Sequence, residues 1–330
     1  MQVLAVDVGT GTQDVLLFDS DQEPENCLKL VMPSPTVRVA EAIRVATAAG
    51  RNIMLTGVTM GGGPCGWAVE AHLREGCRVF ATADAARTFN DDLAEVEALG
   101  VELVGEDEID EPADAVRLEM RDIDHRAIVR AFEAFGVDLD QVDVVAVAVF
   151  DHGAAPPGVS DRLFRFEYLA ERLQAGGGLA GFAFQRDEIP VSMTRLRSAA
   201  SSVPHRFPVM AMDTAPAAVL GALEDPAVKQ QRAAIVANVG NFHTLAFHLP
   251  RTDGERIAGL FEHHTGRLTT SRLEQLLREL AEGTISNDEL FAEHGHGALV
   301  LDPRPRPLDF VAVTGPRRGL LLTSALRPYM

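Results

Sequence analysis

Residues 1–19 constrain this chain more than any other stretch. An apolar run, LAVDV, meets the turn Gly9-Thr10-Gly11-Thr12, and a second apolar run, VLLF, ends at Asp19. Two short apolar runs separated by a small-residue turn predict a β-hairpin. The glycines tolerate positive φ and leave backbone N–H groups exposed, while the threonines add hydroxyl donors. Such a turn suits an anion. Asp7, at the end of the first strand, is placed to hold a hydrated divalent cation.

The rest of the composition narrows the function classes. A chain of 330 residues with 46% hydrophobic content has room for about two globular domains. Its formal charge of −18 argues against nucleic acid and anionic membranes as partners, because either needs a basic face. An anionic ligand would need local donors. Only Lys29 and Lys229 are lysines, and no glycine-rich loop ends in Gly-Lys-Ser/Thr, so a P-loop NTPase is disfavoured. Cys27, Cys65 and Cys77 cannot supply a C-x₂-C metal motif or an iron–sulfur run, and they read as reduced thiols of a cytoplasmic protein. The sequence shows no secretory signal and no apolar run long enough for a membrane span.

Strands alternating with helices along residues 28–150 predict an α/β layer architecture. A helix is expected over 83–98, and the acidic stretch from Gly105 to Asp114 reads as a solvated loop. The longest apolar strand, Val142 to Phe150, suits a central position buried on both faces and ends in Asp151-His152-Gly153. Open α/β sheets place ligand residues at such strand ends. The segment from Arg186 to Pro208 reads as a connection, giving a first domain over 1–204 and a smaller second domain over 205–330. In that second part a strand, the turn Asn238–His243 and another strand repeat the opening hairpin. A strand is expected over 256–262.

Three motifs in order carry a resemblance. Asp7-x-Gly9-Thr10-Gly11-Thr12 resembles the first phosphate motif of the actin, sugar kinase and heat-shock chaperone (ASKHA) superfamily. AIVANVGNFHTLAFHL, ending at Leu249, is similar to its second phosphate motif, and VAVTGPRRG, Val311 to Gly319, to its adenosine motif. More narrowly, VDVGTGTQD, NVGNFHTLAF and FEHHTG together resemble a prokaryotic family sometimes labelled pyruvate formate-lyase activating enzyme-like. The superfamily resemblance implies two ribonuclease-H-like domains of actin-like ATPase type, with ATP and Mg²⁺ bound in the interdomain cleft. It implies that Asp7 holds the metal, that Gly9, Thr10, Gly11, Thr12, Asn238, Gly240, Asn241, His243 and Thr244 line the phosphates, and that Gly315 admits the nucleoside. The activity would be that of an ATPase or small-molecule kinase. Asn238 stands where many members carry an aspartate, which removes one charge from a metal- or water-positioning site.

The remaining candidates have competing readings. Asp151, His152 and Asp213 are candidate catalytic residues; a histidine can act near neutral pH, yet Asp151 or His152 could equally cap the following loop. Thr214 begins a helix that Asp213 precedes. His243, His263, His264, His294 and His296 could ligate a transition metal, although an exposed loop is the better account of His294-x-His296, and His263-His264, between an apolar strand and Thr-Gly, ranks above that pair for ligand contact. Gly61-Gly62-Gly63-Pro64 opens a helix that could bind an anion or simply turn the chain. A non-catalytic relative that binds a small molecule or protein is the alternative to turnover. A homo-oligomer stays open.

Overall fold

The computed structural model describes residues 1–109, 114–176, 178–250 and 257–330. Residues 110–113 of the acidic stretch, Gly177, and Arg256 at the start of an expected strand lie outside the described residues. The first half contains β1 (Gln2–Val8), β2 (Thr12–Asp19), β3 (Leu28–Pro33), α1 (Pro35–Ala48), β4 (Ile53–Gly57), α2 (Gly63–Arg74), β5 (Val79–Ala81), α3 (Ala83–Ala86), α4 (Leu93–Ala98), β6 (Val101–Leu103), β7 (Val116–Met120), α5 (His125–Glu133) and β8 (Val144–Val149). There follow α6 (Asp161–Gln174), β9 (Ala183–Gln185), α7 (Thr194–Ser201), β10 (Val209–Asp213), α8 (Thr214–Glu224), α9 (Pro226–Lys229), β11 (Ala233–Val239), β12 (His243–Pro250), β13 (Gly259–His264), α10 (Thr270–Glu282), α11 (Asn287–Ala292), β14 (Gly297–Val300) and β15 (Val311–Thr314).

The chain divides into two compact units. Met1–Pro157 and Phe184–Met212 form the first; Gly158–Ala183 and Asp213–Met330 form the second. The helix α6 therefore belongs with the C-terminal part of the chain, although it precedes the last strands of the first unit. No helix among the described residues is long and apolar enough to cross a membrane.

In the first unit a six-stranded sheet runs β3-β2-β1-β8-β10-β9. Its centre is β1, antiparallel to β2 and parallel to β8. Between β3 and β8 the chain builds a separate four-stranded parallel sheet, β6-β5-β4-β7. Ile53, Leu55, Val79, Ala81 and Met120 from its strands bury against Ile43 of α1 and Val69 of α2. The exposed edge strand β3 carries Leu28, Val31 and Met32 outward.

The second unit holds one sheet, β14-β13-β12-β11-β15, with the same plan at its centre: β11 is antiparallel to β12 and parallel to β15. The helix α10 covers it. Leu273, Leu276, Leu277 and Leu280 recur at the i, i+3, i+4, i+7 spacing of one helix face and are all buried, which stabilises by about 1.5–3 kcal/mol each. Thr269 caps the helix by accepting the Arg272 N–H at 3.2 Å.

Several local expectations are corrected. The helix expected over 83–98 is two, because Asn90 Oδ1 accepts the Asp92 N–H and Asp92 Oδ1 then caps α4 at the Ala94 N–H. The strand β8 alternates between buried and half-buried residues, so it is not sealed on both faces. The segment 186–208 is structured, containing α7, and belongs to the first unit. Strands β6, β7 and β14 were not apparent from apolar patterning.

Candidate functional site

The two central hairpins are built to one template. In the first, Val8 pairs with Gln13 and Asp7 with Asp14; in the second, Val239 pairs with Thr244 and Asn238 with Leu245. Gly9 N–H donates to the Thr12 carbonyl at 2.9 Å, and Gly240 N–H donates to the His243 carbonyl at 2.9 Å. The correspondence thus sets Gly9 against Gly240, Thr12 against His243, and Asp7 against Asn238. It extends to the parallel neighbour, where Asp7 faces Ala148 and Asn238 faces Thr314.

The reason for glycine in these turns differs from the sequence expectation. Gly9, Gly11 and Gly240 all lack positive φ. What disfavours a side chain is the carbonyl three residues on: an added Cβ would crowd Thr12 O at 3.1 Å at Gly9 and would collide with His243 O at 2.8 Å at Gly240. Gly315 is constrained twice. Its φ is +97°, and a Cβ would meet Val239 O at 2.5 Å and Asn238 Oδ1 at 2.8 Å.

The first turn is held from outside by Ser34, whose Oγ donates to Thr10 O at 3.0 Å and whose N–H donates to Gly11 O at 3.1 Å. With their carbonyls so engaged, Thr10 and Gly11 keep N–H groups that find no acceptor among the described residues. Asp7 and Asp14 stand directly opposite one another across the hairpin. The pairing sets two carboxylates on one face of the hairpin, a donor type that suits a divalent cation. A cavity of about 620 Å³, lined by Gln13, Val15, Arg38 and Arg121 among others, lies on the hairpin's other face by strand alternation.

Other expected site residues have structural duties. Asp151 is buried; its Oδ1 accepts the Gly153 N–H and its Oδ2 the Leu196 N–H, both at 2.8 Å. His152 meets the Phe150 ring edge-on at 5.1 Å. Asp213 caps α8 through the Ala215 N–H and is ion-paired to Arg165. Thr244 is buried and shares a hydrogen bond of 2.9 Å with Thr265. Gly61 N–H donates to Asp122, itself held by Arg195 in the first unit, and Thr36 Oγ1 donates to the Gly62 carbonyl.

The second unit also buries a polar group that sequence spacing did not reveal. Arg165 of α6 donates through Nε to both oxygens of Glu262 at 3.0 Å, and through Nη1 and Nη2 to Asp213 at 2.8 and 3.1 Å. Burial alone would pull the guanidinium pKa down; Asp213 and Glu262 outweigh it and hold Arg165 charged well above the ordinary arginine range. Around Glu262 gather His243, His264 and His296, of which His296 is fully buried although its segment read as a loop. His294 is exposed, at φ +69°, and this left-handed residue breaks the extended alternation that would have set it beside His296. Burial lowers the pKa of His264, and Arg162 and His263 lower it further.

Among the described residues the three cysteines are not gathered into a ligand group. Cys65 is buried, donates to the Gly62 carbonyl at 2.8 Å, and is pushed by that burial up to about 11. These thiols do not fit an iron–sulfur cluster.

No curated protein matches the chain in sequence. Among solved structures, the PPX-GPPA enzyme of Aquifex aeolicus is 10% identical over 95% of this chain and 67% of its own length, with a TM-score of 0.24. An exopolyphosphatase-like protein is 11% identical over 88% of this chain and 58% of its own length, with a TM-score of 0.21. Likeness at that level leaves the activity to be argued from this chain's own residues. The family profile described as "Putative pyruvate format-lyase activating enzyme (DUF1786)" matches residues 60–320, and the chain belongs to that family.

Proposed function

We propose that the protein is a nucleotide-binding member of the actin-like superfamily, with both units ribonuclease-H-like, ATP as the nucleotide and Mg²⁺ as its companion. The observation that carries the reading is the matched pair of hairpins: one register, one glycine-to-carbonyl bond, and an acidic residue retained on the first. The unengaged N–H groups of Thr10 and Gly11 are the local donors that a chain of charge −18 needs for an anion. Asp7, backed by Asp14, would hold the cation, which supplies charge neutralisation for the phosphates. Gly315 leaves backbone room beside Asn238. Chemistry at such a site is positioning and charge stabilisation by backbone amides, with His152, whose ring packs edge-on against Phe150, as the base candidate.

A second reading is binding without turnover. It is favoured by Asp151 and Asp213, whose carboxylates hold backbone N–H groups, and by Asn238 in place of an acid. Calorimetric titration with ATP, with and without Mg²⁺, tests both. Binding that weakens at least about tenfold without Mg²⁺, and equally in Asp7→Ala, is expected of the first hairpin's assigned role. Absence of binding at millimolar nucleotide would sink the proposal, and binding without phosphate release would select the second reading.

A further inference from the structure

His243, His264 and His296 of the second unit converge around Glu262, and of these only His243 also belongs to the hairpin of the nucleotide reading. Strands β12 and β13 pair so that His243 stands directly opposite His264, and Glu262, two residues earlier on β13, shares that face. His296 enters just before β14, where its N–H donates to the Glu262 carbonyl at 2.9 Å. The ring centres of His243 and His264 are 5.2 Å apart, those of His243 and His296 4.8 Å, and those of His264 and His296 4.7 Å. Around a tetrahedral ion with metal–nitrogen bonds of about 2.0–2.1 Å, three imidazole centres stand about 5 Å apart. The observed triangle has that size.

The surroundings also suit a cation. Glu262 Oε1 stands 3.2 Å from His243 Nδ1 and 3.6 Å from His296 Nε2. A carboxylate at an imidazole's second nitrogen is the outer partner that fixes tautomer and ring orientation in metal sites. Arg165 in turn fixes Glu262 by contacts of 3.0 Å to both oxygens. That guanidinium faces two carboxylates, Glu262 and Asp213, so these three groups sum to one negative charge in a buried setting. A dication held by neutral imidazoles offsets it. Nitrogen donors in a tetrahedral set select a borderline transition metal over Mg²⁺ or Ca²⁺, which take oxygen ligands.

We propose that His243, His264 and His296 bind one divalent transition-metal ion of the Zn²⁺ class, with Glu262 orienting the ligands and Arg165 anchoring Glu262. The site shares His243 with the second hairpin but takes its other ligands from β13 and the approach to β14, and metal uptake assayed without nucleotide keeps the two readings distinguishable.

The test uses the full chain, stripped with chelator, dialysed against Co²⁺ as the probe and assayed without nucleotide. About one equivalent per chain, with the visible bands of four-coordinate Co²⁺, is expected. His264→Gln, at a half-exposed position, should lose at least about 100-fold in affinity and Glu262→Gln about 10–100-fold, while His205→Gln, on the surface, keeps full uptake. Should the substitutions disturb the far-UV circular dichroism, the wild-type Co²⁺ form decides: three paramagnetically shifted, exchangeable imidazole N–H signals support the site. Sub-stoichiometric uptake by the wild type, fewer than three such signals, or unchanged affinity in a folded His264→Gln overturns it.

Discussion

The ion group around Arg165 gives the sharpest stability prediction. Arg165→Met keeps an unbranched apolar stem but leaves the side chains of Asp213 and Glu262, 12% and 0% exposed, without their shared cation. Four charge-assisted contacts between 2.8 and 3.1 Å are lost. Counted singly at about 1.5–3 kcal/mol they would sum to more than the true cost, since removing the guanidinium also removes its own desolvation penalty. Breaking a buried pair from one side costs about 3–5 kcal/mol. Hydrogen exchange read by mass spectrometry suits a two-unit chain, because peptides report each unit separately. Peptides from α6 and β13 should lose about 10²- to 10⁴-fold in protection, while those from β4 and β5 in the first unit keep theirs. The triple variant Arg165→Met/Asp213→Asn/Glu262→Gln should recover most of the loss, since an asparagine amide oxygen can still accept the Ala215 N–H that caps α8. A loss below about tenfold, or a triple variant no better than the single, would refute the assignment of the energy to uncompensated charge.

Gly315→Ala should cost about 2–4 kcal/mol, from the left-handed φ together with a Cβ forced onto Val239 O, and a thermal shift under about 2 °C would contradict that. Burial holds His72, His125 and His248 below the ordinary histidine pKa, so folding disfavours their protonation. Their contribution is complete above about pH 6.5 and is lost as pH falls through the lowered values; melting temperatures that do not fall between pH 7.5 and 5.5 would count against it. Iodoacetamide at pH 8 should modify Cys77, which is partly exposed, well before Cys65, whose thiol is buried and pushed up to about 11. Peptide mapping showing Cys65 modified first would reverse that order.

The hairpins were legible because their information is local: apolar runs, a small-residue turn and a repeat of the same pattern at residues 233–250 specify both register and position. The motif order from Asp7 to Gly315 was legible for the same reason. Strands β6, β7 and β14 were hidden because they are short and carry few buried side chains. The site in the second unit was half legible. Its histidines could be named, but Arg165 reaches Glu262 across 97 residues and Asp213 across 48, and no spacing rule relates such positions. The expected exposure of His296 failed because β14 and the Glu262 carbonyl draw it into the sheet, a tertiary effect that local polarity does not encode.

The four-stranded sheet lodged between β3 and β8 has a kinetic consequence. Strand β1 must wait for β8, whose Val144 pairs with Val3, before the centre of the first sheet can close. For an unstructured loop of that span, closure costs about 4 kcal/mol of chain entropy. The intervening α/β layer makes only nearer contacts, with β4 joined to β5 and β7, so it is able to condense first as the chain leaves the ribosome. Once folded it shortens the span that β1 and β8 must bridge. The insertion then serves as an assembly splint: mutations in its core, at Ile53 or Leu55, should slow formation of the six-stranded sheet without touching a residue of it.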